Sequence, residues 1–210
     1  VFAENKEGDY TPSTLEALET ALASAKTVEA DTNATDEDIR KAYDELSAAV
    51  TALKLKANKA TLIPAVDAAR EMLDSGKYDP ETLKELSALI DPAELLVEDE
   101  EADQDEVNKM AKDMTIAMSK VRLAAKVAEV KAEVEQLDLS GYTVASVKAL
   151  TNAIAKAEAA LESDDYSDED EEVLTSSLTN ALSGLVEIPV KPDPEPDPKP
   201  SKPSSSKGGS

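Results

Sequence analysis

A tyrosine, a small helix-capping residue and a helical run follow one another three times in this chain. The stretches are "DYTPSTLEALETALASAK" (Asp9–Lys26), "KYDPETLKELSALI" (Lys77–Ile90) and "GYTVASVKALTNAIAKAEAAL" (Gly141–Leu161). Tyr10, Tyr78 and Tyr142 are separated by 68 and 64 residues. A period of this size marks a repeat architecture, and it must be found before any fold is assigned.

Each stretch reads as the start of a helix. Thr11, Asp79 and Thr143 are placed to act as N-caps, whose side-chain oxygen accepts an otherwise unpaired backbone N–H. Pro12 and Pro80 fall at the first helical position, where a missing N–H costs nothing; Val144 takes that place in the third copy. Tyr10 with Leu15, Tyr78 with Leu83, and Tyr142 with Val147 are spaced as hydrophobic staples, which fix the angle at which the chain enters the helix. Gly8, Gly76 and Gly141 lie just upstream, as expected of a helix that ends in a left-handed residue. These nine staple and cap residues are therefore read as structural rather than as ligand contacts.

Apolar residues then recur at steps of three and four, the helical period. Copy one gives Leu15, Leu18, Leu22 and Ala25; copy two Leu83, Leu86, Ile90 and Ala93; copy three Val147, Leu150, Ile154 and Ala157. A polar loop and a second amphipathic helix follow. Its stripe is Ile39, Ala42, Tyr43, Leu46, Ala49, Val50 and Leu53, then Val107 to Val121, then Leu174 to Leu185. The slot matching Ile39 in copy three is Glu171, which predicts a frayed first turn. Copies two and three also have a leading helix, through Leu62–Leu73 and Leu123–Leu137. Copy one has only "VFAENKE" there, so its leading helix is truncated or supplied from outside.

Three such helices bury their stripes most simply as a three-helix bundle. No Gly or Pro occurs between Asp103 and Ser140, so the last helix of copy two is expected to run straight into the first of copy three. Pro64 and Pro92 are expected to kink or restart their helices. The reading is all-α: tandem three-helix bundles forming an elongated rod. The expected units are 1–56, with a truncated first helix, 57–122, 123–188, and a Pro/Ser-rich disordered linker over 189–210. The sequence begins mid-pattern at Val1, which reads as a fragment or a processed product.

The residue inventory narrows the chemistry. The chain has no Cys, His or Trp. Disulfides, thiol nucleophiles, the commonest general base and the commonest transition-metal ligand are thereby removed. The formal net charge is −23, which repels phosphate backbones, so nucleic acid is not an expected partner. No apolar run approaches the roughly 20 residues that span a bilayer, so no membrane insertion is expected.

The acidic runs "VEDEEADQDEV" and "ESDDYSDEDEEV" lack EF-hand spacing and its central Gly. Acids before a helix favour its positive end, so no metal and no other cofactor is assigned. Clustered, exposed carboxylates on slim bundles offer no desolvated acid for glycoside hydrolysis, and the chain is not expected to be an enzyme. For sugar stacking, Tyr166, in an acidic loop, is the candidate ligand-binding residue; Tyr43 sits on an apolar stripe and is assigned to the core. Met110, Met114 and Met118 are likewise read as a core stripe.

The run Tyr10–Leu53 resembles the FIVAR family ("found in various architectures"). The likeness rests on Tyr10, Leu18, Ala25-Lys26, Ala34-Thr35, Ala42, Leu46 and Leu53. Copy three is similar at Tyr142, Leu150, Ala157-Glu158, Leu178 and Leu185 but lacks the Ala-Thr pair, and copy two is the most divergent. The resemblance implies three-helix modules of secreted or cell-wall-attached Gram-positive proteins, extracellular, often beside glycoside hydrolase, carbohydrate-binding or adhesive modules. It implies a spacer displaying a neighbouring domain, as a monomer within a larger multidomain chain. The alternative is an adhesin-like module that recognises a host glycoprotein or glycan through a helical face.

Overall fold

The computed structural model describes residues 7–189. The linker expected over 189–210 lies almost wholly outside the described residues, as does Val1–Lys6. Among the described residues there are seven α-helices and no strand. The helices are α1 (Pro12–Ala30), α2 (Asp36–Thr51), α3 (Leu62–Asp74), α4 (Lys84–Glu98), α5 (Gln104–Gln136), α6 (Val144–Leu161) and α7 (Asp168–Ser183).

The helices pack in groups along the chain. α1 pairs with α2; α3, α4 and the first part of α5 form one bundle; the rest of α5 forms another with α6 and α7. Apart from Tyr10, Ala21 and Ala42 of the first helix pair, the buried apolar residues fall into two separate clusters. One holds Leu62, Leu86, Val107, Met114 and Val121; the other holds Leu123, Val130, Leu150 and Leu178. Burying a Leu side chain fully contributes ~2 kcal/mol, and Leu62, Leu86, Leu123 and Leu178 are each 0% exposed. The methionines join the first cluster as expected.

α5 is one continuous helix of 33 residues, about 50 Å long at ~1.5 Å per residue. With no breaker in the run, nothing ends the helix between the two bundles, so both share it.

Local signals account for most helix starts. Thr11 and Thr143 precede α1 and α6 in extended conformation, with Pro12 at the head of α1. Thr143 accepts the Ser146 N–H at 3.4 Å, whereas the Thr11 hydroxyl turns to Thr14 Oγ1 at 2.8 Å. α2 opens on a reciprocal capping box: Thr35 N–H donates to Asp38, and Asp38 N–H to Thr35 Oγ1. Tyr10 is buried, and Leu15, Tyr78, Leu83, Tyr142 and Val147 are half-buried.

The same frame repeats residue for residue. Thr11 N–H donates to Lys54 O at 2.8 Å and Lys56 N–H to Asp9 O at 2.8 Å. In copy three, Thr143 N–H donates to Val186 O at 2.7 Å and Ile188 N–H to Gly141 O at 2.8 Å. These bonds make the isolated bridges Tyr10–Leu55 and Tyr142–Glu187. The equivalent of Leu55 in copy two is Leu123, which lies inside α5, so the position is taken up by helix.

Three expectations need correction. The middle copy's helix begins at Lys84, not Pro80. Asp79 Oδ1 does take a backbone N–H, but from Glu81 at 2.8 Å, and Pro80–Leu83 wind as turns. Of the three glycines, Gly76 alone has positive φ, at 65°; Gly8 and Gly141 sit in the 3-10 turns Glu7–Asp9 and Leu139–Gly141. α4 runs unbroken through Pro92, with Ile90 and Ala93 on either side held in the core. α3 does start afresh, two residues ahead of Pro64.

Candidate functional site

Tyr166, the expected sugar platform, is 5% exposed. Its hydroxyl meets Ser119 Oγ of α5 at 2.8 Å in a buried contact. Lys120 Nζ stands 5.8 Å from the ring centroid, within cation–π reach. Burial pushes the phenol pKa above its ordinary value, against the opposing pull of the Ser119 hydrogen bond. The ring is packed into the last bundle and has no face free for stacking. The acidic loop folds inward here because a buried hydroxyl on α5 offers the phenol a partner, as a buried polar group requires.

One turn along α5, Arg122 grips the first turn of α7. Its Nε and Nη2 donate to the two Glu171 carboxylate oxygens at 2.7 Å each. Burial works to raise the Glu171 pKa, but the bond and charge of Arg122 outweigh it and hold the carboxyl low. The first turn of α7 is therefore helical from Asp168, not frayed. Glu171 replaces an apolar residue because its partner is a guanidinium. Neither Ser119 nor Arg122 was identified from sequence; each looks like one polar break in an apolar stripe.

The second site is a clasp between the segment after α2 and the acidic loop before α5. Lys54 Nζ lies 3.2 Å from Asp103 Oδ2, and Lys56 Nζ 2.7 Å from Glu100 Oε1. Lys59 Nζ donates to the carbonyls of Val97 and Asp99. Asn58 and Gln104 exchange two hydrogen bonds, at 2.7 and 3.1 Å. Glu101 receives the Ser13 N–H at 2.6 Å and the Ser13 hydroxyl at 2.7 Å. The Ser13 N–H at the head of α1 holds the Glu101 carboxyl below its usual range. Asp103 is lowered first by the Asp105 N–H and then by Lys54. The acidic run thus seats the first helix pair on the second unit. Its sequence signal was the basic run "KLKANK" (Lys54–Lys59), opposite in sign to "EDEEADQD".

The third feature is an open apolar face on α1 and α2. Tyr43, assigned to the core from its stripe, is 70% exposed, and Ile39 is 54% exposed. Leu22 and Val50 are also exposed. A groove of ≈ 620 Å³ runs between the helices, lined by Leu22, Ala25, Val28, Ile39, Tyr43 and Leu46 among others. No third helix packs there among the described residues, so the stripe that would face a core faces water.

Among the described residues, Asp38, Glu101, Asp103, Asp138, Asp170 and Glu171 are the carboxyls whose pKa departs from its ordinary value, and all depart downwards. A general acid at neutral pH needs the opposite. Among the described residues, no three or more Asp and Glu are placed to hold a metal ion. No helix there is long and apolar enough to cross a membrane.

A sequence model of the family described as "FIVAR domain" matches residues 3–54, 58–122 and 119–186. The second and third matches overlap within α5, on the turn that carries Ser119 and Arg122. No curated protein and no solved structure matches the chain.

Proposed function

The chain belongs to the FIVAR-domain family, and from that premise we propose that it is a non-catalytic spacer of an extracellular bacterial protein. It holds a neighbouring functional domain away from the surface or enzyme that carries it. The units are taken as 1–56, 57–122 and 123–188, with 189–210 as a linker. The observation that carries this reading is the helix α5, which two bundles share and which sets a fixed distance between them. The clasp at Lys54, Lys56 and Ser13 supports it, since it ties the first helix pair to the next unit by named bonds.

The second reading is an adhesin-like module. It is favoured by the exposed Tyr43 and Ile39 on one helical face, since an aromatic ring with open surface is what a glycan or glycoprotein would contact. The test is binding of the chain to immobilised mucin, matrix glycoproteins and a glycan array at physiological salt, with small-angle scattering on the same sample. A rod-like scattering profile with no binding supports the spacer. Saturable binding abolished by Tyr43→Ala replaces it with the adhesin. A collapsed, globular profile counts against the spacer whatever binds.

A further inference from the structure

The ion pairs at the heads of α5 and α7 fall into one frame. Lys54 follows Thr35 by 19 residues, and Arg122 follows Asp103 by 19. Thr35 and Asp103 are the N-caps of α2 and α5, so the two cations occupy the same position in successive copies. Each sits where the chain leaves one unit, and each reaches the head of the next unit's last helix. Lys54 Nζ lies 3.2 Å from Asp103 Oδ2, and Arg122 Nη2 lies 2.7 Å from Glu171 Oε2. In both pairs the cation and the carboxylate are 49 residues apart. The position is not charged by default: the third copy has Val186 there, 55% exposed.

The connectors differ, and the difference is compensated. Tyr78 follows Lys54 by 24 residues, whereas Tyr142 follows Arg122 by 20. The first connector starts outside any helix and enters α3 at Leu62; the second is unbroken α5. It is shorter by four residues, about one helical turn. Its acceptor stands four residues further into the receiving helix. Asp103 is the N-cap of α5, while Glu171 lies four residues beyond Ser167, the N-cap of α7. Ser119 meets Tyr166 and Arg122 meets Glu171, so α5 and the chain entering α7 advance in the same direction. A cation that enters one turn deeper therefore finds its carboxylate one turn deeper.

We propose that Lys54–Asp103 and Arg122–Glu171 are one latch, repeated at the two junctions: a cation on the chain leaving a unit grips the head of the next unit's last helix and sets how the two units seat. The latch is the element common to both junctions, since the same pair closes one connector that is a loop and another that is a helix. Its acceptor is a carboxylate at the head of the receiving helix, at a depth set by the length of the connector. The inference rests on the repeat frame and holds whether the array is a spacer or an adhesin.

The test moves the acceptor. Four alanines inserted between Arg122 and Leu123 of the full chain carry the last bundle about one turn away from the cation. The readout is NMR titration of side-chain carboxyls at physiological salt, where charges further apart than about 8 Å are screened. In the parent chain, Arg122→Gln is expected to raise the Glu171 pKa. In the inserted chain the same substitution should have little effect on Glu171 and should raise the pKa of the carboxyl introduced by Ser167→Asp. At the first junction, fluorescence transfer between labels on α1 and α4 should show a broader distance distribution in Lys54→Glu and a narrow one in Lys54→Arg. A Glu171 that responds to Arg122→Gln as strongly after the insertion as before it overturns the proposal, as does a Ser167→Asp carboxyl that does not respond. So does a Lys54→Glu distribution as narrow as the parent's, and that arm decides the matter even where the inserted chain fails to fold.

Discussion

Ser119 of α5 and Tyr166 of the loop before α7 share a buried hydroxyl–hydroxyl hydrogen bond of 2.8 Å. The bond lies on the stretch of helix that belongs to both bundles. It makes a loop tyrosine a structural part of the joint.

Tyr166→Phe removes one hydroxyl and leaves Ser119, 0% exposed, without that partner. The expected loss is about 0.5–1.5 kcal/mol, the net worth of one hydrogen bond, because Ser119 also hydrogen-bonds the Glu171 carboxylate. Ser119→Ala in the same background should cost a further, smaller amount, since it also removes the hydrogen bond to Glu171. Urea denaturation of the two single variants and the double variant measures the coupling.

Arg122→Ala should cost about 1–2 kcal/mol at pH 7, between the limits for exposed and buried ion pairs. The Glu171 pKa is depressed in the folded chain. Its contribution is therefore complete above the unfolded carboxyl value and is lost as pH falls through the folded one. The stability gap between the parent chain and Glu171→Gln should be widest at neutral pH and close in acid. A gap that widens on acidification would reverse the assignment.

The clasp should open with salt and acid while the spacing of the two bundles along α5 does not change. Glu101 and Asp103 both titrate below their usual range, so their ion pairs and hydrogen bonds are complete at neutral pH and open as pH falls through those lowered values. Fluorescence transfer between labels on α1 and α4 should report a broader distance distribution in Lys54→Ala/Lys56→Ala or at high salt. Transfer between labels on α4 and α6, across the shared helix, should stay unchanged.

Gly76→Ala should destabilise by about 1 kcal/mol, because φ there is 65° and a Cβ disfavours that conformation. Gly141→Ala should be near neutral, since its φ is ordinary and no atom lies within 4 Å of an added Cβ. Thermal melts of the two variants make the comparison; equal losses would contradict it.

Much of the fold was legible because it is written locally. The cap at Thr143, the stripe from Val107 to Val121 and the unbroken α5 each depend on residues within a few turns. The two non-staple tyrosines were assigned the wrong way round, and for one reason. Burial depends on what packs from elsewhere. Tyr43 has the right period for a core but no helix opposite. Tyr166 sits among acids but finds Ser119, 47 residues earlier. The clasp was hidden in the same way: Lys54 and Asp103 are 49 residues apart, and charge runs read singly look like solvated surface. The late start of α4 was missed because Asp79 and Pro80 carry a valid cap signal that the chain spends on a turn.

Because α5 passes through both bundles without a break, their relative orientation is a matter of rotational phase. Each residue of an α-helix turns the chain by about 100°. One residue inserted between Met118 and Leu123 would swing the last bundle around the helix axis by roughly that angle while moving it outward by only ~1.5 Å. Length changes in this stretch act as a dial on direction far more than on reach, so whatever is attached beyond α7 faces a bearing set by residue count.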